Sequence, residues 1–535
     1  MKQKLRDEIE RFTPFTEEEA AAKAELLRLI DLHGVHILDR DCPDGHITCS
    51  GFIMSPELQE TVMAYHLIYH SVGWTGGHAD GCADLLGNAL REAKEETSAV
   101  KIYPHSVRIL SIDILPVPPH EKNGVPVEAH LHYNVSYGLI AEMDQTLAAK
   151  PDENREVVWL PVEEIGIHCT EAHMIPIYNK LVERMRAIEA ERIAVYPRIA
   201  EPLLAWYEKN KRDLPWRRDR DPYHVWVSEI MLQQTRVEVV KDYYLRFIDE
   251  IPDYESLAFF PEDRLMKLWE GMGYYRRVFN MQKCAQQIMS EYNGRFPRKH
   301  KDVLNLIGVG EYTAGAICSI CYGQPTPAID GNVLRVMARL LEDFRNVLTN
   351  PFKMELSVML GEVYKSVDDC GMLTQALIEI GATVCIPNGA PRCDVCPLAD
   401  ICVSRKSQSQ QMLPIRKKYV KRRLEELTMF VFECDGKIAI RRRPSEGLLA
   451  NMWELPWKTG HYSEQRAAVQ AVAWDCHAYE IEKMVVRKHV FTHLEWDILG
   501  VFMKCRRPSK RFVWVTPEEL EEEYSLPTAF RCVLE

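Results

Sequence analysis

Four cysteines lie within an 18-residue stretch, and this cluster constrains the fold of the chain more than any other feature. They are Cys385, Cys393, Cys396 and Cys402, with seven, two and five residues between them. Four thiolates at this spacing are suited to hold an iron–sulfur cluster or a zinc ion. The other twelve of the 16 cysteines are scattered, which is typical of buried thiols in a reducing compartment. Four unrelated buried thiols at this density are the less favoured interpretation.

The chain has 535 residues, too many for one hydrophobic core, which predicts several domains. Helical patterns with breaks at proline and glycine run through residues 194–384, the cysteines occupy 385–402, and a basic linker follows at 403–424. Strand-like runs return at both ends, in residues 1–190 and 425–535. The predicted fold class is therefore multidomain, with an all-α core flanked by two α+β domains.

Within the two ends, individual elements are readable. HILDR, ITCSGFIM and HLHYNVSYGLI predict strands in the first segment, with a helix over 84–97 and an amphipathic helix over 170–193. In the last segment LTMFVFE, KIAIRRR, HVFTHLEWDILGVFMK and FVWV predict strands.

The charge pattern gives only weak guidance about partners. A net charge of -12 argues against nucleic acid, although a whole-chain sum hides local patches. The stretch 405–443 is rich in Lys and Arg, and it is either a nucleic-acid contact or a solvated linker. No apolar run is long enough to span a bilayer, and MKQKLRDEIERF lacks the apolar core of a signal peptide. We therefore expect a cytoplasmic protein with no membrane partner.

Two carboxylates in the middle segment lie in contrasting surroundings. Glu229 falls within the apolar stretch VWVSEIML, where burial is expected to raise its pKa. Asp330 lies at the start of a helix, where the dipole favours its ionised form. Such a pair is suited to divide acid and anion roles at one sugar. Taken alone, a salt-bridged Glu and a capping Asp explain the same two residues.

A glycine-rich hairpin lies between these carboxylates. The run LNLIGVGEYTAGAICSICYG predicts a helix, a turn and a second helix, with Gly308 and Gly310 permitting tight backbone geometry. Backbone N–H groups at the start of the second helix are placed to hold a phosphate without reading base sequence. A plain helix–helix turn is the alternative.

The segment 194–402 resembles the helix–hairpin–helix DNA glycosylases and, within them, the MutY-type adenine glycosylases. The motifs LPWR, VWVSEIMLQQTRV, GMGYYRR, GVGEYTAGAI, AIDGNV and CPLADIC occur in that family's order. The related endonuclease III group has lysine just after the hairpin, whereas this chain has Tyr312. The resemblance therefore implies base excision without an efficient lyase step. Two departures are Ile307 in place of the family's proline and a first cysteine gap one residue longer than usual.

The resemblance also implies roles for individual residues. Glu229 would protonate N7 of a flipped-out adenine, Asp330 would stabilise or trap the sugar cation, and Tyr312 and Asn332 would complete the pocket. DNA contacts are implied for Gln234, Tyr274, Gly308, Gly310 and Arg217. The first two would fill or wedge the base stack, and a polar helix face and a core aromatic are their alternatives. The four cysteines would hold a structural 4Fe–4S cluster. The expected partner is double-stranded DNA containing mispairs, bound by a monomer.

The C-terminal segment resembles the Nudix-like domain that MutY-type enzymes use to check the base opposite adenine. The similarity is carried by GLLANMWELPW and HVFTHLEWDIL. It implies that Phe491, Thr492 and His493 contact 8-oxoguanine, with threonine in place of the family's serine. A β-turn with a capping threonine is the alternative.

The N-terminal segment is not expected of such an enzyme. In WTGGHADGCADLLGNALREAKEETSA three carboxylates, Glu92, Glu95 and Glu96, share one helix face and repel one another unless a cation lies between them. With Gly77 and Arg91 they match the Nudix hydrolase signature, which implies bound Mg²⁺ or Mn²⁺ and hydrolysis of a nucleoside diphosphate derivative. Ala83 and Ser98 depart from that signature, with Asp84 adjacent to the first. A Nudix fold retained for interaction is the alternative.

Three functions thus compete. The first is an adenine glycosylase with an appended Nudix hydrolase, which the contexts of Glu229, Asp330 and Tyr312 favour. The second is a nucleotide pyrophosphatase whose helical segment only binds DNA. The third is a DNA-damage binder without enzymatic activity.

Overall fold

The computed structural model describes residues 1–67, 70–122, 125–151, 154–417, 422–444, 447–491 and 494–535. Over these residues the chain forms two compact units. One contains residues 1–209, 330–363 and 376–416, and the other contains 210–329, 364–375 and 417–535. The helical segment 194–384 therefore contributes to both units.

The N-terminal segment is a mixed sheet with helices on both faces. Its helices are α1 (Lys2–Arg11), α2 (Glu17–His33), α3 (Leu85–Thr97), α4 (Ile165–His168) and α5 (Ile175–Ile193). Its strands are β1 (His46–Met54), β2 (Glu60–His66), β3 (Ser71–Gly73), β4 (Thr75–His78), β5 (Ile102–Val117), β6 (His120–Lys122), β7 (Val125–Val127), β8 (His130–Ala141) and β9 (Asn154–Pro161). The two expected helices and the strands in ITCSGFIM and HLHYNVSYGLI are confirmed.

The strand expected at HILDR is wrong. Residues Gly34–Leu38 form a 3-10 turn that buries Ile37 and Leu38. Gly34, with a φ of 65°, ends α2 and turns the chain toward β1. Two adjacent apolar residues in a turn here imitate the pattern of a short strand.

β1 lies at the centre of the N-terminal sheet. The strand order is β3-β2-β1-β8-β5, with β4 also paired to β1 and β9 to β2. α1, α2 and α3 pack on the face that carries Ile47 and Cys49. α5 packs on the other face, against Phe52 and Met54.

The middle of the chain is helical, as expected. Its helices are α6 (Ala200–Asn210), α7 (Pro222–Leu232), α8 (Val237–Glu250), α9 (Tyr254–Phe259), α10 (Glu262–Leu268), α11 (Arg276–Glu291), α12 (His300–Leu304), α13 (Glu311–Tyr322), α14 (Gly331–Leu341), α15 (Asn350–Lys365), α16 (Cys370–Thr383) and α17 (Val403–Lys406). α7 to α13 enclose a core in which Trp226, Phe247 and Trp269 are fully buried. Among the described residues, none of the helices has the length and apolar character needed to cross a membrane.

The C-terminal segment repeats the strand plan of the N-terminal one. It contains β10 (Arg423–Cys434), β11 (Lys437–Arg442), β12 (Trp453–Glu454), β13 (Trp457–Thr459), α18 (Glu464–Ala473), β14 (Ala478–Val490), β15 (Leu494–Cys505), β16 (Val513–Val515), α19 (Pro517–Glu522) and α20 (Thr528–Leu534). The order is β12-β11-β10-β15-β14, with β13 paired to β10 and β16 to β11. As β1 does with β8, β10 runs parallel to β15. Strand for strand, the two sheets have the same topology.

One buried carboxylate ties the N-terminal segment to the residues around the cysteine loop. Glu342, which is fully buried just after α14, accepts hydrogen bonds from Ser106 of β5 (2.6 Å), from Ser409 (2.9 Å) and from Ser407. Arg192 of α5 donates to the backbone carbonyl of Glu342 at 2.9 Å. A buried carboxylate costs free energy unless it is hydrogen-bonded, so these contacts hold the N-terminal segment against the end of α14 and the residues around the cysteine loop.

Candidate active site

Glu229 is held within a helix whose surroundings are apolar. Asp221 caps α7 by accepting from the Tyr223 backbone N–H, and Pro222 occupies the first turn, which fixes where the helix begins. Eight residues further along the chain Glu229 is only 7% exposed. The phenolic oxygen of Tyr312 donates to Glu229 Oε2 at 2.5 Å. The burial that the sequence predicted for Glu229 is confirmed, and a neutral donor contacts its carboxyl.

The predicted hairpin delivers Tyr312 to this carboxyl. α12 and α13 flank it, and Gly310 is the N-cap residue of α13. Gly308 has a φ of 79°, and a Cβ at this position would lie 2.8 Å from the Asn280 side chain, so only glycine fits. Among the described residues no side chain caps α13, so the N–H groups of its first turn are available to an anion.

Asp330 is the N-cap of α14, as expected. Its carboxylate accepts from the backbone N–H groups of Asn332 and Val333, each at 2.8 Å, and from the Asn332 amide at 2.7 Å. These three donors favour the ionised form of Asp330, as its position at the helix N-terminus was expected to do, but burial acts in the opposite direction. Burial raises its pKa above the ordinary aspartate value, and the hydrogen bonds oppose that change only in part.

A chain of hydrogen bonds connects Asp330 to the cysteine loop. Asn332, which donates to Asp330, accepts from the Arg335 guanidinium at 2.9 Å. Arg335 also donates to the backbone carbonyl of Cys385 at 2.8 Å and to that of Gly381 at 2.7 Å. Sequence reasoning missed Arg335, because its partners are mostly backbone carbonyls that leave no residue pattern.

The four cysteines gather at one place. The pKa of the Cys396 thiol is raised to about 12, first by burial and then by the nearby sulfurs of Cys385, Cys393 and Cys402. The four thiols therefore lie close enough to interact electrostatically. Arg339 donates to Cys385 Sγ at 3.4 Å. Half-buried sulfurs that repel one another and lie beside a guanidinium are a set of ligands that fits a metal cluster.

The two residues expected to enter the base stack share an uncommon backbone conformation. Gln234 has a φ of 59° and Tyr274 a φ of 49°, and the Tyr274 side chain is 51% exposed. Non-glycine residues with positive φ are uncommon and concentrate at functional sites. The core-aromatic alternative for Tyr274 therefore does not describe its exposed position.

A single arginine joins the loops that carry Gln234 and Tyr274. Arg277 donates to the carbonyls of Ile230 (2.8 Å), Met231 (3.0 Å), Gln233 (2.7 Å), Met272 (3.2 Å) and Gly273 (3.1 Å). Its charge faces the carbonyl end of α7, where the dipole favours a cation. Burial lowers the pKa of Arg277 to about 10, so it remains charged near neutral pH. Arg277 is the principal positioning residue that sequence reasoning missed.

A small pocket opens beside Arg277. It is lined by Trp226, Ile230, Gln233, Arg277, Asn280, Met281, Ile307 and Gly308. It therefore lies where the end of α7 meets the hairpin turn. Arg217, expected at DNA, is partly buried and donates to the backbone carbonyl of Arg212 at 3.3 Å.

Much of the basic stretch 405–443 is paired within the protein. Lys406 contacts Glu191 at 2.8 Å, and Arg441 and Arg442 contact Glu454 and Glu262 at 2.7 and 3.1 Å. Arg416 instead donates to the Gly331 carbonyl, next to Asp330, at 3.0 Å. Residues 418–421 lie outside the described part of the chain. These ion pairs favour a structural role for the described side chains that make them.

In the C-terminal sheet, Phe491 directly follows β14. Its backbone N–H donates to the Leu494 carbonyl at 2.7 Å, and its ring packs against His489 and Trp496, with centroids 4.7 and 4.9 Å apart. Thr492 and His493 lie outside the described residues. These contacts place the Phe491 ring beside Trp496 of β15.

The acidic helix of the N-terminal segment is present, but its carboxylates are engaged. Glu96 accepts from the Gly76 N–H at 2.8 Å and from Asn154 at 2.9 Å. Arg91 contacts Glu92 at 2.8 Å and Glu95 at 3.4 Å.

The divalent-cation site expected on this helix stays a prediction. Among the described residues, the groups of three or more potential metal ligands lie elsewhere and do not include Glu92, Glu95 and Glu96. Asp84, the acid next to Ala83, caps α3 by accepting from the Gly87 N–H at 3.2 Å. Gly77 lies close to the Glu92 carboxyl, where a Cβ would be 2.5 Å from the Glu92 carboxyl carbon.

Two family models match this chain. One, described as HhH-GPD superfamily base excision DNA repair protein, matches residues 227–346. The other, a NUDIX domain, matches residues 427–535. The Nudix match lies in the C-terminal segment and not in residues 1–190, so an additional Nudix domain there remains a prediction.

Relatives extend the first match. Adenine DNA glycosylase of Homo sapiens is 32% identical over 386 residues, covering 59% of this chain and 70% of that protein. Adenine DNA glycosylase of Schizosaccharomyces pombe is 30% identical over 400 residues, covering 61% of this chain and 86% of that protein. A solved thermostable thymine-DNA glycosylase is 26% identical, with a TM-score of 0.37, over 41% of this chain and 99% of its own. Because the two adenine DNA glycosylases are 32% and 30% identical and are matched over 70% and 86% of their own lengths, the chain belongs to the adenine DNA glycosylase family.

Proposed function

We propose that this protein is a monofunctional DNA glycosylase that removes adenine mispaired with 8-oxoguanine or guanine. The observation that carries the proposal is the Glu229–Tyr312 contact, a buried carboxyl with a phenol hydrogen-bonded to it at 2.5 Å. A buried carboxyl is suited to retain a proton and donate it to a leaving group. Family membership, through adenine DNA glycosylases of two organisms, supports adenine as that leaving group.

In the proposed reaction Glu229 donates a proton to N7 of an extrahelical adenine. The N-glycosidic bond then breaks, its electron pair leaves with the adenine, and positive charge develops at the sugar. The Asp330 carboxylate, held by Asn332 and the start of α14, stabilises that cation until water attacks C1′. Tyr312 keeps the Glu229 carboxyl oriented toward the base.

The strained residues Gln234 and Tyr274 are proposed to occupy the space that adenine leaves in the duplex. Arg277 holds both of their loops through backbone carbonyls, so the two residues are presented from a rigid support. The open N–H groups at the start of α13 would hold a phosphate. These contacts position DNA without reading its sequence.

The test is release of adenine from a defined duplex. A duplex with adenine opposite 8-oxoguanine, incubated with purified protein, should yield free adenine and an abasic strand that breaks only after alkaline treatment. A duplex with adenine opposite thymine is the control. Strand cleavage without alkali would contradict the monofunctional proposal, and absence of adenine release would contradict the glycosylase itself.

We propose further that Cys385, Cys393, Cys396 and Cys402 hold a 4Fe–4S cluster. Their mutual electrostatic contact and the Arg339 donor fit an anionic thiolate–iron assembly. The cluster would supply structural cross-linking of the loop, and the bonds from Arg335 would carry that order to Asn332 and Asp330. Purified protein should show broad absorption near 400 nm and about four irons per chain. Zinc without iron would contradict this assignment.

We propose that Phe491, Thr492 and His493 recognise 8-oxoguanine opposite the excised adenine. The packing of Phe491 on Trp496 supports a contact role for the two residues that follow. Phe491→Ala should reduce excision opposite 8-oxoguanine more than excision opposite guanine, in single-turnover assays on matched duplexes. An equal loss on both would reject the recognition role.

A second candidate function concerns the N-terminal segment. Its sheet has the topology of the C-terminal sheet that the NUDIX model matches, which favours a Nudix-like fold for residues 1–190. We propose that any pyrophosphohydrolase activity of this segment depends on Glu92, with 8-oxo-dGTP as the first nucleotide to test. Pyrophosphate release with Mg²⁺ or Mn²⁺ that is lost in Glu92→Gln would support it. No release with a nucleotide panel would leave a fold used for interaction.

A further inference from the structure

Four histidines lie together on one face of the N-terminal sheet. His46 begins β1, His78 ends β4, and His130 and His132 lie on β8. His46 is opposite His132 in the β1–β8 register, and Thr48 is opposite His78 in the β1–β4 register. Because alternate residues of a strand share a face, all four imidazoles lie on the face opposite Cys49 and the acidic helix.

The spacing of three of these imidazoles suits a shared metal ion. One ring nitrogen from each of His46, His130 and His132 lies within 4.8 Å of the others. Nε2 of His130 and Nε2 of His132 are 3.1 Å apart. Two nitrogens bound to one tetrahedral zinc lie roughly 3.3 Å apart, given zinc–nitrogen bonds of about 2.0–2.1 Å. The His78 ring centroid lies 5.0 Å from that of His46 and 5.1 Å from that of His132.

His46 is the unusual member, since it is buried without a partner. It is 3% exposed, and within the described part of the chain neither of its ring nitrogens has a hydrogen-bond partner. Its buried neighbours on the same face differ: Thr48 and Ser50 both donate to Asn134, at 3.0 and 2.7 Å. An unsatisfied buried imidazole costs free energy that a metal bond would offset.

His130 is oriented as a metal ligand usually is. Its Nδ1 lies 2.8 Å from the backbone carbonyl oxygen of Glu128. Because a carbonyl only accepts, Nδ1 carries the proton, and in the neutral ring Nε2 is left unprotonated facing His132. Ligating histidines commonly donate their second ring N–H to a carbonyl in this manner.

The other candidate groups of ligands are weaker. His33 and His36 each already contact a carboxylate, Asp44 at 2.6 Å and Asp41 at 3.0 Å. Their imidazoles are therefore satisfied without a metal ion. This contrast singles out the His46 group among the described residues.

We propose that His46, His130 and His132 bind a divalent transition-metal ion, with zinc as the fitting choice and His78 beside it. Imidazole ligands favour zinc and its neighbours over Mg²⁺, which prefers oxygen. Three protein ligands leave a fourth position for His78, for water or for a small anion. The site is independent of the glycosylase residues, so its failure would leave the proposed adenine excision untouched.

The test is zinc uptake by the full-length protein. Wild type and His132→Gln are stripped with a chelator, exposed to excess Zn²⁺, desalted and analysed for zinc per chain by mass spectrometry. Wild type should retain one zinc more than His132→Gln, and zinc should raise the melting temperature of wild type only. His132 is half-buried, so this variant is safer for folding than one at His46, and circular dichroism checks that it folds. His33→Gln is the matched control and should retain as much zinc as wild type.

X-ray absorption at the zinc edge identifies the ligands. The site predicts a shell of nitrogen at about 2.0–2.1 Å in wild type that is lost in His132→Gln. Equal zinc content in wild type and His132→Gln would overturn the proposal. So would a sulfur shell at about 2.3 Å as the sole zinc environment, because the zinc would then belong to the cysteine loop. Loss of the extra zinc in His33→Gln, with retention in His132→Gln, would overturn it in favour of the other group.

Discussion

The end of α7 and the start of α14 each present a carboxylate, and their surroundings differ in kind. Glu229 lies inside a helix, among apolar side chains, with the Tyr312 hydroxyl hydrogen-bonded to it. Asp330 lies at a helix N-terminus and accepts two backbone N–H groups and an amide. The first setting favours a carboxyl that holds and donates a proton, while the second supplies donors that stabilise an anion.

The difference teaches that burial alone does not assign a role. Burial raises the pKa of Asp330, yet its three donors work in the opposite direction. The kind of donor differs between the two groups, because a phenol hydroxyl contacts Glu229 whereas two backbone N–H groups and an amide contact Asp330.

The largest expected effect is that of Glu229→Gln. The amide cannot donate an acidic proton, so single-turnover excision should fall by about 10²–10⁴-fold, the usual contribution of a general acid. Since Gln is isosteric and its carbonyl still accepts from Tyr312, the melting temperature should change little. Glu238→Gln, on the exposed face of α8, is the matched control and should excise normally.

Asp330→Asn should reduce excision by about 10²–10³-fold, because it removes the anion that faces the sugar cation. Asparagine is as good an N-cap as aspartate, so stability should be nearly retained. Asp330→Ala should lose similar activity and, in addition, about 1 kcal/mol of unfolding free energy from the lost cap. Chemical denaturation measures the second effect, and equal stability of the two variants would argue against the capping role.

Tyr312→Phe should lower excision by about tenfold, equivalent to roughly 1.4 kcal/mol for one hydrogen bond to the Glu229 carboxyl. Duplex binding should be unchanged, since the phenyl ring keeps its place. Tyr292→Phe, in the same helical segment, serves as the control. A loss as large as that of Glu229→Gln would mean that Tyr312 does more than orient the acid.

The smallest effect near neutral pH is expected for Asn332→Ala. The Asn332 hydrogen bond lowers the pKa of Asp330 against the effect of burial, so its loss raises that pKa further. Because the Asp330 anion is the active form, the rate should begin to fall at a higher pH as the solution is acidified. We expect a midpoint shift of about one pH unit upward, for a bond of about 1.4 kcal/mol, with less than about fivefold loss near pH 7. A downward shift would contradict the role of Asn332.

Much of this site follows from residue patterns. A dipeptide indicates the cap at Asp330, an apolar run indicates the burial of Glu229, and a glycine indicates the turn at Gly308. The direction of the pKa shift at Asp330 does not follow from residue patterns, because it depends on how completely the tertiary fold removes water from the carboxylate.

Other features are not readable from sequence. Arg277 and Arg335 act on backbone carbonyls, which every residue has, so no pattern identifies their partners. His46 and His132 become neighbours only through the parallel register of β1 and β8. The repeated strand order is likewise hidden in the sequence. Asp475 and Ser98 are the positive-φ residues that follow α18 and α3. Counted back from them, α18 has Val469 and Val472 at the positions where α3 has Glu92 and Glu95.

The central claim is that Glu229 supplies the proton and Asp330 the anion, and the pH dependence of single-turnover excision tests it most directly. Wild type should give a bell-shaped profile in which acid loss reports Asp330 and alkaline loss reports Glu229. In Asp330→Asn the acid limb should disappear while the alkaline limb remains, and in Glu229→Gln the reverse should hold. If both limbs persist in both variants, or if each variant loses the opposite limb, the assignment of roles to the two carboxylates is wrong.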